Sequence, residues 1–344
     1  MIQYGIYNTL LKYVGELDSE IFKQINNDFS FFRTSYRFAG KSILTFQCVD
    51  HIEIKKKGVE TFYSYSPATF LHKGIFYWKG SEIYFQKGKC ILKCTNIFSE
   101  DTLVQTNIKN LFFIRSFLFY LILTRLITKN IVFIHASAIA KQGRSILLPG
   151  WGHSLKTSLA FHFVDRGYKF YGDDLICVTT NQRLLSFPIS TIIFDYDMKN
   201  CPFLADKSIK VNKVSSKARY LTPISKLLNA QQIGDKADIS KIVFLRRWTK
   251  NSIRFERCTS IIESLLSILH NELAFLFSFH NLFSYIARSK GEDVFNLYYE
   301  IKNIFVKTFR DIPCYTLYIP KHPKVDFEEI VNIVAQLESK KRIN

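Results

Sequence analysis

Carboxylates are scarce in this chain: 29 Asp and Glu stand against 47 Lys and Arg, a formal charge of +18 over 344 residues. Abundant Asn, Ile, Phe and Tyr mark a composition in which lysine rises by drift. Drift does not explain the shortage of acids, and the charge leaves room for an acidic partner: nucleotide phosphates, an acidic peptide, nucleic acid or an anionic membrane. Paired cysteines are also missing. The seven present (48, 90, 94, 177, 201, 258 and 314) are odd in number and scattered, with no Cys-x-x-Cys. A disulfide framework and a zinc site are thereby disfavoured, and a reducing, cytoplasmic compartment is expected. His270 and His280 lack a second ligand at metal spacing. The first residues lack a basic and then apolar run, so no signal peptide is expected. The longest apolar run, Leu111–Ile127, carries Arg115 and Arg125 and is short for a bilayer. It reads as a helix packed on a sheet just before the strand at Ile131, with contact to a membrane surface as a secondary option. No nucleic-acid-binding motif or concentrated basic helix is present, which disfavours a nucleic-acid partner.

What is present is ample core material, 47% hydrophobic with 32 Phe, enough for two domains or one domain with a large appendage. Residues 131–178 organise the rest. They read as a strand over 131–140, a polar turn at 141–144, a second strand over 145–148, a glycine loop, a helix from Lys156, and a short strand over 168–171. Gly167 falls where a helix-terminating glycine belongs, and Asp173-Asp174 follow the last strand.

A glycine loop between strand and helix turns backbone N–H groups inward at the positive end of a helix dipole, which is the chemistry of phosphate binding. The loop is Gly150, Trp151, Gly152, His153, Ser154 and Leu155, followed by Lys156, Thr157 and Ser158. Lys156 is expected on the β- and γ-phosphates, the Thr157 hydroxyl on Mg²⁺, and Asp173 or Asp174 on the metal or the proton of an attacking hydroxyl. The pattern G-x-x-x-x-G-K-[ST] has glycine where Leu155 stands, and the leucine side chain is expected to add bulk where backbone should approach phosphate. The bland alternative is a turn before a core helix.

The order His135, glycine loop, Arg166-Gly167 and Asp173-Asp174 resembles the HPr kinase/phosphorylase family and its relatives with the phosphoenolpyruvate-carboxykinase-type P-loop fold. The short separation of Lys156 from Asp173 is part of that likeness. Leu155, and Ser158 in place of an acidic residue, depart from it. The resemblance implies a mixed-sheet α/β P-loop kinase domain over 106–344 with a smaller β-rich domain over 1–105. It implies His135 near the transferred phosphate or orienting Asp173, Asp173 as general base, and Asp174 supporting it or the metal. His153 is left open as a phosphate contact or an exposed residue.

Elsewhere, strands are expected at 42–46, 52–54, 74–78, 83–85, 91–93, 184–194, 241–245 and 313–318, and helices at 16–26, 259–289, 292–309 and 327–337. Asp195-Tyr196-Asp197 reads as an exposed turn, with a third acidic position as the alternative, and Arg246-Arg247 as cations at a strand end, solvated or paired with Glu256, with stabilisation of a transferring phosphoryl group as the alternative. Residues 199–240 read as a polar, substrate-facing or merely solvated segment. The expected activity is ATP- and Mg²⁺-dependent phosphorylation of a hydroxyl on a protein, peptide or small molecule. The alternative is a non-catalytic nucleotide- or partner-binding scaffold of the same fold. Homo-oligomerisation is left open.

Overall fold

The computed structural model describes residues 1–7, 9–16, 19–33, 42–52, 60–64, 74–79, 82–87, 89–97, 99–205, 219–289, 296–321 and 326–336. The chain is mixed α/β and divides into two units, 1–131 with 273–301, and 132–272 with 302–344. The boundary expected near 105 falls in the last strand of the first unit, and the helix Leu111–Ile127 and residues 273–301 group with that unit.

The first unit contains strands β1 (Ile2–Ile6), β2 (Thr9–Val14), β3 (Ser42–Cys48), β4 (Glu60–Ser64), β5 (Gly74–Lys79), β6 (Glu82–Lys87), β7 (Cys90–Thr95) and β8 (Asp101–Thr106), and helices α1 (Glu20–Phe29) and α2 (Leu111–Ile127). Among the described residues the strands form one sheet in the order β1-β2-β3-β8-β7-β6-β5-β4. Alternating burial along β8 shows one face packed and the other open. Ile52, expected in a strand, lies outside one, and the rest of that short run falls outside the described residues.

Helix α2 is buried nearly all round because it packs on several partners of its own unit. Phe119 meets Phe29 of α1 at 5.9 Å, and Phe117 meets Phe279 of the helix 274–289 at 5.3 Å between ring centroids. Arg115 pairs with Asp28 at 2.9 Å, and buried Arg125 donates to the Leu121 carbonyl and the Thr102 hydroxyl. Both arginines are therefore engaged inside the unit, and α2 belongs with this unit rather than with the strand that follows it.

The second unit contains β9 (Ile131–Ile134), β10 (Ala136–Lys141), β11 (Arg144–Pro149), α3 (Lys156–Asp165), β12 (Lys169–Gly172), β13 (Ile176–Thr179), β14 (Arg183–Leu185), β15 (Thr191–Phe194), α4 (Asp195–Asn200), α5 (Pro202–Ala205), β16 (Arg219–Thr222), α6 (Ile224–Leu227), β17 (Lys236–Trp248), β18 (Arg254–Arg257) and α7 (Ile261–Glu272). After α8 (Ala274–Ser289) in the first unit come α9 (Leu297–Phe309), β19 (Cys314–Pro320) and α10 (Phe327–Gln336). The main sheet runs β12-β10-β11-β17-β14-β13-β9, with β19 beside β17 and β18 beside β19.

The heart of this sheet is parallel: β11 pairs β17, and β17 pairs β19, both in parallel register. Near-continuous burial of β9, β10 and β11 fits strands covered on both faces. The run expected as one strand over 131–140 breaks at His135, and the hairpin β10–β11 closes at Lys141 and Arg144. Its two turn residues, Gln142 and Gly143, both have positive φ, which matches the twist of the flanking strands. Strand β17 starts earlier than expected and runs to Trp248, so Arg246 and Arg247 stand at its end, within its last three residues. Arg247 donates to the Lys321 carbonyl at 3.0 Å.

Candidate functional site

Strand β11 delivers the chain to Gly150, whose backbone bridges Leu245 on β17. A side chain at Gly150 would place its Cβ 2.5 Å from Ser154 Oγ and 2.9 Å from the Leu245 carbonyl, so only glycine fits this approach. The loop then turns into α3, which is buried on nearly every face and supplies Leu159, Phe161, Phe163 and Val164 to the core. At its far end, Gly167 with φ +80° donates to the Val164 carbonyl at 2.9 Å, and Tyr168 N–H donates to the Phe163 carbonyl at 3.1 Å. This double closure terminates the helix where the sequence indicated.

Leu155 caps the N-terminus of α3 in the left-handed conformation, φ 71° and ψ 20°. The backbone thus takes the shape a glycine would give, and the side chain turns into the core, 7% exposed. The bulk expected inside the loop is therefore not there. The conformation strains a residue bearing a Cβ by roughly 1–2 kcal/mol, and burial of the isobutyl group offsets it by about 1.5–3 kcal/mol. His153 also has positive φ and lies 5.2 Å from the Phe194 ring and 6.4 Å from Tyr196.

Lys156 opens the helix and is buried. Its ammonium donates to the carbonyls of Gly150 at 2.9 Å and Trp151 at 3.1 Å, curling back across the loop. Thr157 donates to Asp173 Oδ2 at 2.7 Å. Asp173 is fully buried and accepts two further hydroxyls, from Ser137 on β10 and Thr191 on β15. Burial pushes its carboxyl above the usual range, the neighbouring Asp174 charge adds to the rise, and the three hydroxyls oppose it. Asp174 has φ +62° and is partly exposed at the end of the same turn.

Ser158, expected on the phosphate side, donates its hydroxyl to Asp197 Oδ1. Asp197 Oδ2 accepts from Phe194 N–H at 2.9 Å, capping α4. The segment read as an exposed turn is therefore a helix start with a buried carboxyl. Burial pushes that carboxyl up to about 7, against the two donors that favour its charged form.

His135, at the break between β9 and β10, is buried; its ring nitrogens make no close, well-aligned hydrogen bond, and the Asp174 backbone is the weak contact nearest to one. Burial and the nearby Lys156 charge push its pKa down to about 3, so the ring is neutral at physiological pH. Its Nε2 lies 3.8 Å from Glu272 Oε2, while Glu272 Oε1 accepts the Gly152 N–H at 2.8 Å. Ser154 Oγ in the loop is likewise buried without a partner. A cavity of about 210 Å³ opens beside Trp151, lined also by Arg246, Glu263, Ser264 and Ser267.

Sequence reasoning did not find Ser137, Thr191 or Glu272, and it set the acidic-position reading of Asp197 below that of an exposed turn. Ser137 lies two residues past His135 but across the break between β9 and β10, so strand periodicity does not tie the two together. Thr191, Asp197 and Glu272 reach the site through tertiary packing from distant elements.

The donors around Asp173 and Thr157 are all oxygen, which suits a hard cation held by one or two carboxylates and by ligand phosphates. Among the described residues no cluster of three or more His, Cys, Asp and Glu forms a cation site by itself. Among them, too, no helix is long and apolar enough to cross a membrane.

No protein-family model matches the chain, and no curated protein matches it. A solved HPr(Ser) kinase/phosphatase from Coxiella burnetii is similar with a TM-score of 0.29 and 12% identity, over 60% of this chain and 96% of that one.

Proposed function

We propose that the second unit is a P-loop phosphotransferase domain of the HPr kinase type, moving the γ-phosphoryl group of ATP to a hydroxyl with the aid of Mg²⁺. The observation that supports this best is the joint placement of Lys156 and Thr157. Both start α3 directly after a glycine-dependent loop, and the Thr157 hydroxyl bonds to the carboxylate of Asp173. A lysine here works against the helix dipole, so a purely structural role gives it little reason to be there.

In this reading the loop N–H groups and Lys156 would hold the β- and γ-phosphates, and Ser154 Oγ is a further donor without a present partner. Thr157, its hydroxyl oriented by Asp173, would hold Mg²⁺, which would neutralise charge developing on the transferring phosphoryl group. Asp173 has no exposed surface and already accepts three hydroxyls. The proton of the acceptor hydroxyl is therefore better taken by Asp174, which reaches solvent. The cavity beside Trp151 leaves room for part of the nucleotide or the acceptor. The acceptor is a hydroxyl of a protein, peptide or small molecule.

Calorimetric titration of Mg·ATP into the full chain tests the reading. Binding that Lys156→Ala removes supports it, and no binding to the unaltered protein refutes it. A second reading, a nucleotide- or partner-binding scaffold without catalysis, draws support from Glu272, whose carboxylate already engages the loop. Nucleotide binding without turnover of labelled ATP toward any hydroxyl acceptor would favour it.

A further inference from the structure

We propose that Glu272 is an internal occupant of the phosphate loop and sets the affinity of that loop for phosphate. This rests on the reading of the loop as a phosphate site.

Four observations converge on it. Glu272 Oε1 accepts the Gly152 N–H at 2.8 Å, so a carboxylate takes a donor that the loop would otherwise offer to a phosphate oxygen. Its second oxygen stands 3.8 Å from Nε2 of the buried His135, so the carboxylate lies between the loop and that ring's edge. Glu272 itself keeps a quarter of its side chain exposed, so the carboxylate has an outward path and can leave without unfolding its helix. It is the last residue of α7 and the last of its segment before the chain passes into the other unit at Leu273, so its backbone ends a helix rather than lying inside one.

The chemistry is competition between anions. A carboxylate and a phosphate use the same donor, and the two negative charges cannot share it. Phosphate must displace Glu272, and its net affinity is lowered by whatever the internal contact contributes. A hydrogen bond to a charged group corresponds to a factor of roughly ten to a hundred in an equilibrium. Glutamine at this position keeps an acceptor of the same shape but removes the charge. Alanine removes both.

Inorganic pyrophosphate, titrated calorimetrically without divalent cation into the full-length protein, Glu272→Gln, Glu272→Ala and the double variant Lys156→Ala/Glu272→Ala, gives the test. Affinity is expected to rise in the order wild type, glutamine, alanine, by about tenfold at the first step and up to about a hundredfold overall. The double variant is expected to lose the gain, which locates the binding at the loop. Equal or weaker binding by the two single variants overturns the proposal while leaving the loop as a phosphate site. Absence of binding in all four proteins overturns the proposal and the phosphate-loop reading together. Circular dichroism of each variant distinguishes a lost site from a lost fold, and Glu272→Gln, nearly isosteric, keeps the test sharp should alanine unfold the chain.

Discussion

Putting glycine at position 155 restores the common loop pattern, yet it is expected to weaken the fold. Leu155 sits at φ 71°, where a residue with a Cβ is strained by roughly 1–2 kcal/mol, a strain that glycine would release. Against this, the side chain is 7% exposed and packed into the core of the second unit. Truncating a buried leucine to a methyl group costs about 2–5 kcal/mol, and the freer unfolded backbone of glycine adds roughly 0.5–1 kcal/mol. Leu155→Gly should therefore lose about 1–4 kcal/mol in spite of the strain it releases. Leu155→Ala makes almost the same cavity but keeps the strained backbone, so it should fall below the glycine variant by about 0.5–1 kcal/mol.

Urea denaturation followed by circular dichroism, at one pH and protein concentration, measures this order. Midpoints should descend from wild type through Leu155→Gly to Leu155→Ala at unchanged slope. An alanine variant as stable as the glycine variant would show that position 155 is not left-handed in solution. A glycine variant more stable than wild type would show that the side chain is not held in the core. Either result removes the reasoning that lets this loop keep its shape without its second glycine.

Other consequences concern the carboxylates. Asp174→Asn should abolish phosphoryl transfer while leaving nucleotide affinity within a few-fold, whereas Asp173→Asn should also weaken Mg²⁺-dependent nucleotide binding; calorimetry alongside a labelled-ATP assay separates the two, and intact transfer in Asp174→Asn refutes its role as base. The folded protein holds the Asp197 proton up to about pH 7, against 3.8 for the free side chain. A raised pKa stabilises the fold fully below that lower value, and the contribution, roughly 4 kcal/mol, is lost as pH rises toward 7. Asp197→Asn carries no such titration, so its stability relative to wild type should improve between pH 4.5 and 7.5 in parallel urea series. A difference flat across that window would contradict the buried, protonated carboxyl.

Much of the second unit was legible because its signals are local. The turn at Gln142-Gly143, the terminating Gly167 and the aspartates after β12 each depend on a few adjacent residues, and each lies within a residue or two of its expected place. Helix boundaries in the last third were blurred for a physical reason: residues 259–289 hold no proline or glycine and repeat apolar residues at helical spacing from end to end, and the break between α7 and α8 at Leu273 coincides with the change of unit. Helix α2 illustrates the same limit. Its apolar surface announced burial but not which partner would cover it. The length of β17 was hidden because its ends carry Lys236, Arg246 and Arg247, charged residues that a strand tolerates once neighbouring strands fix its backbone.

The site itself divides along the same line. Lys156, Thr157 and Asp173 are legible because the glycine loop forces the first two to the start of a helix and the short β12 returns the chain to them. The hydroxyls of Ser137 and Thr191 are not legible, since nothing in a lone serine or threonine says that a carboxylate will need it. Yet they bear on what the aspartate can do. A fully buried carboxylate with three hydroxyl donors is a fixed group, suited to orienting Thr157 and poorly suited to receiving a proton from a mobile substrate. Lys156 points in the opposite direction. It is buried at the positive end of a helix, where its charge is disfavoured, and its present partners are two neutral carbonyls of its own loop. A methionine would fill that space at less electrostatic expense. The combination of a strained leucine, a poorly matched lysine and a carboxylate seated on the loop makes sense for a site that has to release its internal contacts to an anion from outside.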